Sequence, residues 1–239
     1  MTKITNDLLR KKYGKDIKIY PPIVKNSKDV YILENKSKKF VIIINKKTSI
    51  SRQFRFLKSN YFQKFLFDEG LNVANVEDIF EMDKKKLAAK HSFINGTKIN
   101  ILDEKTAYKI GKTVANFHII SSKKFTPEYP LKYKILSIAD KLKSNLRIYT
   151  KFLSESNFRN LPKGICHYDL NLTNFMQTED KIFLIDFDRW RYWPFACEIA
   201  RFIRNTPHKQ EIINGYQSVR PLTTAEKEYL QKELPELKL

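Results

Sequence analysis

Five side chains within residues 164–188, GICHYDLNLTNFMQTEDKIFLIDFD, are of the types that handle phosphoryl groups. His167, Asp169 and Asn174 form an H-x-D-x-x-x-x-N pattern, and Asp186 and Asp188 close the strand-like run Ile182-Phe183-Leu184-Ile185. A carboxylate on a rigid loop orients an acceptor hydroxyl and takes its proton, which gives Asp169 the role of catalytic base. Asn174 brings a neutral amide oxygen to a metal without charge repulsion, and Asp186 adds a hard anionic oxygen that suits Mg²⁺. His167 orients the loop through hydrogen bonds. Asp188 is open between a second metal contact and a hold on the loop. An H-x-D triplet alone says little, and many edge strands end in Asp. The joint spacing, with Asp186 twelve residues after Asn174, is what points to a nucleotide and a metal.

The elements that must position these groups follow from periodicity. Residues 5–13 read as a short helix. Residues 29–33 and 40–44 are β-rich runs around the polar turn 34–37, a hairpin pattern. The second run is apolar on both alternating faces, so it belongs inside a sheet. Residues 50–69 carry Phe54, Leu57, Tyr61 and Phe65 at helical spacing, with Gly70 at the C-cap position. Two more strands are expected at 76–80 and 87–94 around a turn at 83–85, ending in a hinge at Asn95-Gly96. The pattern then turns helical. Residues 103–120 carry Ala107, Ile110, Val114 and Phe117 on one face, and 132–153 carry a long apolar stripe. The 164–188 stretch reads as a short strand pair with a loop. Ala196, Ile199, Ala200 and Ile203 mark another helix, and Thr223 with Glu226 is a capping box for a last helix that Pro235 ends. The fold class is α+β with two lobes: a β-rich lobe over 1–95 and a helical lobe over 96–239 that carries the loop. A nucleotide would sit between them.

Bulk properties narrow the partners. The 239 residues, 42% hydrophobic and 30% charged, suit a globular protein with a real core. No apolar run approaches the roughly 20 residues needed to span a bilayer. The first residues lack an apolar leader. Two cysteines make neither a disulfide framework nor a full zinc site, so a reducing cytoplasm is the expected setting. The net charge of +19, from 45 Lys+Arg against 26 Asp+Glu, suits either a solvated basic surface or an anionic partner. The lysines are spread along the chain with no basic tail, so nucleic acid is not expected as a sole partner. His91 and His118 read as packed or surface residues. Trp190 and Trp193 either line a substrate pocket or pack in the core.

At 167–188 the chain resembles the catalytic and metal-binding segment of the aminoglycoside phosphotransferase and choline kinase-like families, which share the protein-kinase-like fold. The likeness extends to Phe93-Ile94-Asn95-Gly96, to Ile110 through His118, to Glu198-Ile199-Ala200-Arg201 and to Asn214-Gly215-Tyr216. The Asp-Phe-Asp-Arg form is also similar to that of spore-coat and lipopolysaccharide-kinase-like members. The resemblance implies an ATP- and Mg-dependent small-molecule kinase acting on a hydroxyl, with Phe93 and Ile94 beside the nucleotide and Asn174, Asp186 and Asp188 at the metal. Aminoglycosides and choline are cationic, so the basic chain favours a neutral or anionic sugar-like acceptor. Three family features are missing. The strand that should carry a phosphate-gripping Lys reads Phe40-Val41-Ile42-Ile43-Ile44, with only Lys39 and Lys46 flanking it. Residues 50–66 hold no Glu to pair with such a Lys, and no Gly lies between Ile17 and Leu33. Losing Lys and Glu together makes physical sense, since either charge alone in a dry cleft is costly. The other reading is therefore a kinase-fold protein that binds without turnover, as a coat or scaffold component.

Overall fold

The computed structural model describes residues 2–24, 27–83, 86–130, 133, 158 and 160–239. The helix expected over 132–153 lies outside them, apart from Tyr133. The chain clusters into two compact units, Met1–Lys64 with Ala74–Ile94, and Phe65–Val73 with Asn95–Leu239.

The first unit opens on α1 (Thr2–Tyr13), which begins three residues before the expected start. A sheet follows, built from β1 (Lys18–Ile19), β2 (Ile23–Val24), β3 (Lys28–Asn35), β4 (Lys38–Asn45), β5 (Val76–Asp83) and β6 (Lys86–Ser92). Its order is β1-β3-β4-β6-β5, with β2 also on β3, and the β3–β4, β4–β6 and β5–β6 pairs are antiparallel. The β3–β4 turn places Lys36 and Ser37 at φ 45° and 66°, a pair of left-handed residues that matches the strand twist. β4 is central, as its two-faced apolar run requires. One face is covered by Leu9 of α1, packed with Tyr31, Leu33, Phe40, Ile42 and Ile44. β6 ends at Ser92, so Phe93 and Ile94 lie past the strand that was expected to include them.

Helix α2 (Ile50–Asp68) buries Phe54, Leu57, Phe62 and Leu66, whereas Tyr61 and Phe65 of the expected stripe are half-buried. The stripe drifts because its end serves another neighbour: Phe65 meets Phe125, centroids 5.2 Å apart, both within the second unit. Gly70, at φ +88°, ends the helix in a Schellman motif. Its N–H donates to the Phe67 carbonyl and that of Leu71 to Leu66, each at 2.9 Å.

In the second unit come β7 (Thr97–Lys98), α3 (Glu104–Ser121), β8 (Lys163–Cys166), β9 (Phe175–Gln177), β10 (Ile182–Leu184), β11 (Arg191–Pro194), α4 (Phe195–Ile203), α5 (Lys209–Gln217) and α6 (Thr224–Glu233). Asp103 caps α3 by accepting from the Thr106 N–H at 2.6 Å, and the predicted face Ala107, Ile110, Val114, Phe117 is buried. The capping box of Thr223 and Glu226 forms, and the last helix stops just before Pro235. The two apolar runs flanking the chemistry do not pair with each other. β10 pairs with β9, which also takes β7, while β8 pairs with β11. Helices α3 and α5 touch backbone to backbone. A Cβ on Gly111 would fall 2.0 Å from the Ile212 oxygen, and one on Gly215 would fall 2.0 Å from the Tyr108 oxygen. Among the described residues no helix is long and apolar enough to cross a membrane.

Candidate active site

β8 delivers the chain to the loop, and three hydrogen bonds stitch that loop to the end of β10. Asn174, buried in a short 3₁₀ turn, donates from Nδ2 to the Asp169 carbonyl at 2.8 Å. The Asn174 carbonyl accepts from the Ile185 N–H at 2.9 Å. The Ile185 carbonyl accepts from His167 Nε2 at 2.9 Å. His167 is fully buried, and its ring packs 4.9 Å from that of Phe187. Asn171 adds a second donor to the Asp169 carbonyl, also at 2.8 Å. Asp186 follows Ile185 in the left-handed region, at φ 70°, a conformation uncommon for a non-glycine residue. Asp188 is half-buried in the 3₁₀ turn Phe187–Arg189. The Asp169 side chain is partly exposed, with Arg189 Nη1 at 3.6 Å from Oδ1.

The loop is held from below by Glu198, on the first turn of α4. Its carboxylate accepts from the backbone N–H groups of His167, at 3.2 Å, and Tyr168. Tyr168 itself is at φ 64°, so these bonds fix a residue in strained backbone. Glu198 Oε2 also accepts from His118 Nε2 at 2.9 Å. His118 Nδ1 lies 2.8 Å from the Tyr216 hydroxyl, which accepts from Arg220 at 3.0 Å, and Arg220 pairs with Glu226 of the α6 capping box at 2.9 Å. Burial raises the Glu198 pKa, but the hydrogen bonds donated by His118 and the Tyr168 N–H outweigh it and leave it lowered. Burial likewise lowers the His118 pKa against the pull of Glu198. The pair is therefore an ionised carboxylate and a neutral imidazole, with protons directed from Arg220 through Tyr216 to His118 Nδ1, and from His118 Nε2 to Glu198. Cys166 brings a third potential metal ligand within 4.8 Å of these two. Both oxygens of Glu198 and the Nε2 of His118 are already engaged, and burial pushes the thiol pKa up, so this cluster is a hydrogen-bonded core.

Sequence reading overlooked Glu198 as an anchor. Its one signal was an acid set between Cys197 and Ile199 in an apolar helix. Trp193 lines a cavity beside Tyr168, whereas Trp190 packs on Phe125, centroids 6.1 Å apart.

In the first unit, Lys39 and Lys46, at the two ends of the run 40–44, are engaged by other groups. Lys46 pairs with Asp29 at 3.3 Å, and Lys39 stands over the rings of Tyr20 and Phe93, at 5.6 and 5.7 Å. Helix α2 is tied to β6 by a neutral contact instead of an ion pair. Gln63 Nε2 lies 3.2 Å from His91 Nδ1 and donates to the Ala74 carbonyl at 2.7 Å.

No curated protein matches the chain in sequence. Solved structures share its fold at low identity. An ADP-bound aminoglycoside phosphotransferase APH(2'')-Ib is 15% identical with a TM-score of 0.62, over 98% of this chain and 86% of that one. The amicoumacin kinase hAmiN, in complex with AMP-PNP, Ca²⁺ and Ami, is 14% identical with a TM-score of 0.60, over 100% and 80%. A putative fructosamine-3-kinase from Haemophilus somnus 129PT is 15% identical with a TM-score of 0.59, over 95% and 85%. The two-lobed, kinase-like α+β fold implied by the sequence is thus the observed one. The pattern of the phosphotransferase enzyme family matches residues 59–217, about two thirds of the length, and the chain belongs to that family.

Proposed function

We propose that the chain transfers the terminal phosphate of ATP, with Mg²⁺, to a hydroxyl of a small, neutral or anionic sugar-like molecule, with Asp169 as the base. The observation that carries this reading is the set of three bonds joining Asp169, Asn174, Ile185 and His167. It ties the base and the proposed metal ligands into one rigid piece. The donor set fits a hard cation: an amide oxygen from Asn174, whose Nδ2 is spent on Asp169, and carboxylates from Asp186 and Asp188. His167 is turned to a carbonyl and acts by positioning. Bound Mg²⁺ would neutralise charge on the nucleotide phosphates, and Phe93 and Ile94 would border the nucleotide. Arg189, beside Asp169, would offset charge on the transferring group. Structural relatives solved with ADP or AMP-PNP, one with Ca²⁺, support a nucleotide and a divalent cation.

The test is transfer from ATP and Mg²⁺ to a panel of hydroxyl compounds by wild type and Asp169→Asn. Loss of a general base costs about 10²–10⁴ in rate. An Asn variant as fast as wild type removes Asp169 from the mechanism. A second reading is favoured by the engagement of Lys39 and Lys46 elsewhere: a protein that binds nucleotide and does not turn over. Thermal stabilisation by ATP and Mg²⁺ with no transfer to any acceptor would select it.

A further inference from the structure

The cavity that Trp193 lines lies wholly within the second unit and measures about 220 Å³. At about 30 Å³ per water it has room for roughly seven, enough for one substituted ring and too little for an oligosaccharide. Its walls are aromatic. Tyr168 and Trp193 meet edge to face, at 6.0 Å and 87°, and Phe158 lies 6.3 Å from Trp193 and 5.9 Å from Tyr229. Such walls favour a flat apolar face.

The exposed charge in the cavity is cationic, that of Arg201. Glu198 borders it too, but it is buried and both its oxygens are committed to three donors. The exposed Arg201 has its guanidinium 4.8 Å from the Tyr168 ring and no carboxylate partner among the described residues. Arg191 stacks on the same ring at 3.4 Å. Tyr168 and Leu170, the sequence neighbours of Asp169, both line the cavity, so a ring held here lies against the loop. We propose that this cavity binds a planar aromatic ring carrying an anionic group, a ligand other than the sugar-like acceptor.

The probe is 4-(hydroxymethyl)benzoate, titrated into the full chain without nucleotide and followed by tryptophan fluorescence and calorimetry. Comparators are 4-(hydroxymethyl)benzylamine and 4-(hydroxymethyl)cyclohexanecarboxylate. The benzoate is expected to bind at least tenfold more tightly than either, and Arg201→Gln to weaken it about tenfold. Trp193→Phe is expected to remove most of the fluorescence change while calorimetric binding persists. Equal or tighter binding of the amine or of the saturated ring, or an unaltered affinity in Arg201→Gln, overturns the proposal.

Discussion

Glu198→Gln tests the anchoring of the Asp169 loop with almost no change in shape. In the wild type one oxygen accepts from the Tyr168 N–H and the other from the His167 N–H and His118 Nε2. Whichever way the amide turns, its NH₂ group meets at least one buried backbone N–H and strands it, at about 1–3 kcal/mol. The bonds that survive lose their ionic partner, each falling from about 1.5–3 to about 0.5–1.5 kcal/mol. We expect a loss on the order of 3–4 kcal/mol. Tyr168, at φ 64°, is in a conformation that costs about 1–3 kcal/mol and persists because it is held. Freed of its acceptor, the loop relaxes and Asp169 leaves its place, so kcat should fall by tenfold or more with KM for ATP little altered. Urea unfolding followed by circular dichroism gives the stability, and transfer from ATP gives the rate. The pH dependence adds a second reading. The folded carboxylate pKa is lowered from 4.5, so its stabilisation is complete above 4.5 and is lost as pH falls through the folded value. The Gln variant lacks that component, and its deficit against wild type should shrink on acidification below pH 4.5. A variant with the wild-type midpoint and rate would refute the anchoring role.

Three further outcomes are expected. Burial, with help from Lys28, pushes His91 from 6.5 down to about 4. The unfolded chain then binds the extra proton between those values, and stability is lost as pH drops from 6.5 to about 4, by on the order of 3 kcal/mol. His91→Gln should flatten that slope, and an unchanged slope places the acid sensitivity elsewhere. Gly215→Ala would gain about 1 kcal/mol if helix propensity decided. With its Cβ 2.0 Å from the Tyr108 oxygen it should instead lose roughly 1–3 kcal/mol or more, read from the shift in unfolding midpoint. Thr223→Ala removes the α6 cap and should cost about 1 kcal/mol, and a neutral result means water replaces the cap without loss.

What could be read from the sequence was what is local. His167, Asp169 and Asn174 lie within eight residues, so type and spacing alone describe them. The caps at Asp103, Thr223 and Gly70 are likewise set by near neighbours. Hidden from that reading was what depends on residues far apart in the chain. Glu198 meets Tyr168 across 30 positions and His118 across 80, and no periodicity encodes either meeting. The choice of β11 rather than β10 as partner for β8 is of the same kind. The missing lysine is a different case. The sequence shows the absence, and the structure shows what holds helix and sheet without it: a neutral Gln63–His91 contact that needs no counter-charge. The loop of Asp169, for its part, is held by Glu198 from within its own unit. Neither hold uses a nucleotide phosphate. It follows that, on the proposed function, nucleotide affinity and the geometry of the proposed base are separable. Substitutions at Glu198 should act on turnover, whereas cations added to β4, such as Ile43→Lys, should act on nucleotide binding and leave the anchor of the loop intact.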